Sequence, residues 1–134
     1  DLQEKVTLHG WATQEEVISI LDTSHIFVLP SRTGPDGNEE GIANALKEAM
    51  AMGLVSVGTW HAGTPELIED GVSGFLVHEK SVFQLSRTLE YIIEHPEIWK
   101  PVALAARKKI EAEFEIKHAV EQLEILFYQL LTNN

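Results

Sequence analysis

The chain has 134 residues, 44% of them apolar, with 21 Asp and Glu against 10 Lys and Arg, giving a formal net charge of -11. That is enough for one domain with its own core, and the acidic balance excludes the basic stripe that a nucleic-acid surface needs. Cysteine is absent, which removes disulfides and thiolate metal sites; no apolar run approaches the roughly 20 residues that cross a bilayer, and no signal peptide is visible.

In chain order, Val6-Thr7-Leu8-His9-Gly10 reads as a brief strand. Gln14 to Thr23 follows as a helix with Val17, Ile18 and Leu21 on one face, and Thr13 is its N-cap for Glu16 three residues on. Ile26-Phe27-Val28-Leu29 is a continuous apolar run, the pattern of a strand buried on both faces, and Pro30 stops it. Ser31 to Glu39 is a loop by composition. A helix over Ile42 to Met52 is expected next, with Ile42, Ala45, Leu46 and Ala49 inward and Gly53 at the C′ position.

Val55-Ser56-Val57 is the third strand. Thr64 to Asp70 reads as a short helix with Pro65 at its first position, and Phe75-Leu76-Val77 as the fourth strand. Ser81 to Glu94 is an amphipathic helix, Pro96 opens another through Arg107 or beyond, and Ile116 to Leu130 makes a long final helix apolar on one side. Strands alternating with helices imply an α/β, Rossmann-like fold with a mainly parallel sheet and helices on both faces, all in one domain over residues 1–134. Ligands of such sheets sit at the carboxyl ends of the strands. That rule places Gly10-Trp11, Ser31 to Glu40, Thr59 to Thr64 and His78-Glu79 along one edge.

The stretch from Glu40 to Gly53 lies in the middle of that edge and holds two carboxylates, Glu40 and Glu48, with seven residues between them. A helix starting just after Glu40 would offer unpaired N–H groups to an anion. Asn44 and Glu48 share a helical face. Glu48 either accepts hydrogen bonds from a vicinal diol or is a solvated surface side chain. Glu40 either meets a sugar hydroxyl, with Gly41 admitting a close approach, or only complements the helix dipole. His61 to Glu66 is a second loop-to-helix junction, where the N–H groups of Gly63 and Thr64 could face a phosphate or simply start a surface helix. Six histidines lie scattered without metal-ligand spacing; His9 and His25 are read as structural. Asp36-Gly37-Asn38 is a turn, since no further calcium ligands follow. No Ser-His-Asp arrangement or Gly-x-Ser-x-Gly motif is present.

Together, Val6 to Gly10, Phe27 to Ser31, Gly37 to Gly53 and Thr59 to Val77, above all Gly63-Thr64-Pro65-Glu66-Leu67-Ile68-Glu69-Asp70-Gly71, resemble the carboxyl-terminal, donor-binding domain of retaining GT-B glycosyltransferases. The resemblance is to the family 4 group that builds bacterial exopolysaccharide and capsule, including colanic-acid-type enzymes. It implies that Glu40 contacts hydroxyls of the transferred sugar, as the candidate catalytic residue though not as an assigned nucleophile. It implies further that Glu48 holds the ribose, that backbone N–H groups around Gly41, Ile42, Ala43 and Asn44 receive diphosphate or sugar oxygens, and that Gly10 and Trp11 lie near the base. The donor implied is a UDP- or GDP-linked sugar, used without a bound metal or other cofactor because helix dipole and basic residues stabilise the leaving diphosphate.

Two departures are visible: Ala43 stands where these relatives often have Pro, and Val55-Ser56 where Pro-Val is usual. The resemblance also implies that an acceptor domain, a first strand and an Arg/Lys pair gripping the diphosphate precede Asp1, that the present chain is an incomplete donor domain, and that alone it transfers no sugar. Absence of those cations would account for the acidic balance. The full protein is expected in the cytoplasm, with room for peripheral association at the inner face of the plasma membrane. The final helix would pack on the absent domain, cover this chain's own sheet, or mediate self-association. A non-catalytic nucleotide- or phosphate-binding module and a protein-interaction domain are the alternatives.

Overall fold

A computed structural model describes residues 3–37 and 41–132, the side chains of 118 and 119 excepted. Its centre is β2 (Val55–Thr59), buried at every position. A strand with no exposed residue must be covered on both faces and flanked on both edges. β1 (Ile26–Leu29) and β3 (Phe75–Val77) supply the edges, giving a parallel sheet of order β1-β2-β3. Ile26 stands opposite Val55 and Leu29 opposite Gly58; Val57 stands opposite Phe75 and Thr59 opposite Val77.

β1 is an edge strand and only half-buried, not buried on both faces as its apolar run suggests. The reason lies upstream. Val6 to Gly10 forms no strand, and Val6 and Leu8 are exposed. A strand is held by its ladder to a neighbour, and among the described residues this segment has no such ladder.

One face of the sheet carries Phe27, Leu29 and Leu76 against Leu46 and Met50 of α2 (Asn44–Ala51) and Leu67 of α3 (Thr64–Leu67), with Ile68 just beyond it. The other carries Val28, Val55, Val57 and Val77 against Leu85, Leu89 and Ile92 of α4 (Val82–Glu94). α1 (Gln14–Asp22) adds Val17 and Leu21 to a smaller cluster with Ala49 and Leu54. It starts with the expected capping box: the Thr13 hydroxyl accepts the Glu16 N–H at 3.3 Å and the Glu16 carboxylate accepts the Thr13 N–H at 2.7 Å.

α2 starts two residues later than expected, and its buried stripe is Leu46, Ala49 and Met50. Ala45, expected inward, is exposed. α2 is held from two sides, by the sheet and by α5 (Trp99–Glu113), and this turns the helix so that Met50 replaces Ala45 in the core. Gly53, at φ 83, ends the helix in the left-handed conformation expected there, and Leu54 N–H closes on the Ala49 carbonyl at 3.0 Å.

α5 decides which end of the sheet is open. It leaves a 3-10 turn at Pro96–Ile98. Trp99 packs on the His25 ring, Val102 joins the cluster of Val55, and Ala106 joins that of Leu46 and Met50. The helix therefore passes across the amino ends of β1 and β2 from one face to the other. At the carboxyl ends the chain leaves the strands in loops. α6 (Ile116–Thr132) has the expected apolar side, but Leu123, Leu126, Phe127 and Leu130 are at least half exposed, so it does not cover this sheet. Among the described residues no helix is long and apolar enough to cross a membrane.

Candidate functional site at the carboxyl edge of the sheet

Three loops leave the carboxyl ends of the strands, and side-chain hydrogen bonds tie them together. The Thr59 hydroxyl donates to the Ser31 carbonyl at 2.7 Å, joining the ends of β2 and β1. Two residues beyond Thr59 lies His61, and two beyond its register partner Val77 lies Glu79. Their side chains meet, His61 Nδ1 to Glu79 Oε1 at 2.8 Å. Glu79 also accepts the Thr33 N–H on Oε2 at 3.0 Å and the Thr33 hydroxyl on Oε1 at 3.3 Å. The Thr33 N–H foremost, and His61 next, hold the Glu79 carboxyl below its ordinary range. His61 itself is buried, with 4% of its surface exposed.

Glu79 thus receives donors from the loops after β1 and after β2. Ser31 to Thr33, Thr59 to Thr64 and His78-Glu79 converge as the strand-end rule expects. Nothing local in the sequence pairs His61 with Glu79, 18 positions on. The signal was positional: each residue lies the same distance past the end of adjacent parallel strands, but only known register reveals it. The residues that follow them, Ala62 and Lys80, have positive φ of 44° and 61°, which L side chains rarely adopt.

The second junction packs against the first. A Cβ on Gly63 would fall 2.5 Å from Ile42 Cγ1 and 3.3 Å from the Ile42 nitrogen, so only glycine allows this approach. The expectation that Thr64 N–H faces a phosphate is corrected: it donates to the His61 carbonyl at 3.0 Å. α3, with four residues, is also too short to build a substantial dipole.

α2 is different. Its N-cap, Ala43, is extended and offers no side-chain hydrogen bond. The Ala43 carbonyl accepts from Leu46 and Lys47, while the N–H groups of Asn44 and Ala45 stand in the first turn, where a helix has no acceptor of its own. Gly41 has open space around its Cα and is exposed. Glu48, one turn on, is half-buried and accepts from Gln14 Nε2 at 3.5 Å, which sets it at the start of α1. Gly10, at φ 67, and the fully exposed Trp11 lie just upstream of α1. Glu40, the other carboxylate of the sequence motif, lies outside the described residues. Beside the same edge, Arg32 and Lys80 line a cavity of about 400 Å³ with Pro30, Thr59, Val77 and Leu85.

At the carboxyl end of the parallel sheet, α2 thus starts on an N-cap without a capping side chain and carries a carboxylate one turn on. A family model described as "Glycosyl transferases group 1" matches residues 1–95. The chain belongs to that family. Within it, the chain is 47% identical over 127 residues to the amylovoran biosynthesis glycosyltransferase AmsK of Erwinia amylovora, covering 94% of this chain and 31% of AmsK. It is 42% identical over 115 residues to the putative colanic acid biosynthesis glycosyltransferase WcaL of Escherichia coli, covering 84% of this chain and 28% of WcaL. The chain thus spans about a third of the length of these group 1 relatives. Its fold is that of GT-B glycosyltransferases: HepE of Anabaena, solved in complex with UDP-glucose, superposes at a TM-score of 0.81 with 21% identity, over 96% of this chain and 33% of HepE.

Proposed function

We propose that this chain is the donor-binding part of a retaining glycosyltransferase, one that moves a hexose from a UDP- or GDP-sugar onto a growing polysaccharide or lipid-linked glycan. The observation that carries the reading is the start of α2 at the carboxyl edge of the sheet, where the N-cap Ala43 supplies no capping side chain, with Glu48 half-buried beside it. The amides of Gly41, Ile42, Ala43 and Asn44 would receive the diphosphate or sugar oxygens, where the helix dipole favours negative charge. Glu48 would accept both ribose hydroxyls, and Trp11 would offer its ring to the base. Glu40 would meet the transferred sugar. A metal is not required, because the leaving diphosphate would be stabilised by the helix start and by cations.

The names of AmsK and WcaL support a polysaccharide product, and HepE with UDP-glucose supports a nucleotide-sugar donor. An acceptor domain and further phosphate-binding cations would come from the rest of the protein, and the 134 residues alone would turn over no donor. The full protein would act in the cytoplasm, at the inner face of the plasma membrane where its acceptor requires. The exposed apolar face of α6 would dock on the rest of the protein or on a second copy.

Calorimetry of the chain with UDP-glucose and GDP-mannose tests the site. Binding should weaken about tenfold in Glu48→Ala, the scale of losing hydrogen bonds to a charged acceptor. Unchanged affinity would remove the ribose assignment.

A further inference from the structure

We propose that the His61–Glu79 hydrogen bond is a positioning couple: it sets the loop at residues 60–63 against the turn at Gly41–Ile42 and thereby fixes the geometry of the donor-binding start of α2. The inference rests on the reading of α2 as the donor site and adds two positioning residues to it.

Three observations meet here. Glu79 is a hub, since its two oxygens take three hydrogen bonds, from the N–H and hydroxyl of Thr33 and from buried His61. A carboxylate so engaged has little freedom to move, and neither has the imidazole it holds. Next, the residues after both partners, Ala62 and Lys80, have left-handed backbone, a conformation that persists when surrounding contacts over-determine it. The His61 ring bond and the bond from Thr64 N–H to the His61 carbonyl are such contacts. Finally, Gly63 lies against Ile42 without room for a single added carbon. Packing that tight passes a shift of the His61 loop directly to the residues that open α2. Neither His61 nor Glu79 needs to touch the donor for this.

With Glu79 as acceptor, the hydrogen of this bond sits on His61 Nδ1. That makes the proposal testable by shape. An asparagine amide can take the place of Nδ1 and keep the bond, whereas a glutamine amide reaches toward the place of Nε2 and loses it. Glu79→Gln puts an amide NH2 in place of one carboxylate oxygen, so it cannot accept both the Thr33 N–H on one side and the His61 Nδ1–H on the other.

The test compares wild type, His61→Gln, His61→Asn and Glu79→Gln in the 134-residue chain. Amide spectra of Gly41, Ile42 and Gly63 are recorded without ligand, and affinity for UDP-glucose and GDP-mannose is measured by calorimetry. His61→Gln and Glu79→Gln should move the Gly41 and Ile42 signals and weaken binding about tenfold; His61→Asn should restore both. If the Gly41 and Ile42 signals stay in place in both weakened variants, the coupling does not exist. If wild type binds and both variants bind equally well, the couple has no role in the donor site, while the donor reading stands. If wild type binds neither nucleotide sugar, the donor reading falls and takes this inference with it. Should His61→Gln fail to fold, Glu79→Gln, altered at a more exposed side chain, decides alone.

Discussion

Gly63 packs against Ile42 too closely to admit a side chain: a Cβ on Gly63 would stand 2.5 Å from Ile42 Cγ1. The contact locks together the two loop-to-helix junctions at the open edge of the sheet, one opening α3 and the other α2. It makes two glycines at that edge behave differently.

Gly63→Ala should destabilise the chain by about 1–3 kcal/mol, the usual range for forcing a carbon into packed space. Gly41→Ala, with nothing within 4 Å of its new carbon, should stay within about 0.5 kcal/mol of wild type. Urea titrations of the two variants measure the difference. Equal midpoints would mean that the Gly63 contact yields freely.

The Glu79 carboxyl is held below its ordinary 4.5 by the Thr33 N–H and by His61. A depressed folded value means that ionised Glu79 stabilises the fold above the unfolded value, and that this contribution is lost as pH falls through the folded one. Glu79→Gln should therefore melt below wild type near neutral pH, and the gap should narrow as pH falls below 4.5 and through the depressed Glu79 value, where wild-type Glu79 takes up its proton. Thermal melts across that range measure it; a gap independent of pH would mean that the charge of Glu79 is not what holds the loops.

Lys80 has φ 61 and is exposed. Left-handed backbone costs an L residue about 1–2 kcal/mol, partly offset by the greater unfolded-state freedom of glycine. Lys80→Gly should thus stabilise by about 0.5–1 kcal/mol. A lower melting temperature in that variant would show that the Lys80 side chain contributes more than its backbone strain removes.

The order of elements was legible because the local signals agree. Thr13 and Glu16 cap α1, Gly53 ends α2, Pro65 opens α3, and the apolar runs of β1 to β3 lie where the patterns put them. Two readings failed for reasons outside any local window. Val6 to Gly10 has strand chemistry but no neighbour to pair with among the described residues, and the apolar β1 is left at the sheet edge as a result. Ala45 has the right period to face inward, but α5 packing on α2 selects Met50 instead. At the candidate site, the helix that carries Asn44 and Glu48 could be read directly, because its periodicity is local in sequence. His61 and Glu79 could not: they lie 18 positions apart and are joined by the register of two parallel strands.

Sequence alone determined the family, the α/β order and the presence of a helix start after Gly41, since each depends on residues within a few positions of one another. Only the tertiary structure decided which end of the sheet is open, which face of α2 is buried, and that Glu79 holds the His61 loop beside that helix start. Those outcomes depend on strand register and helix packing, which bring together residues far apart in the chain.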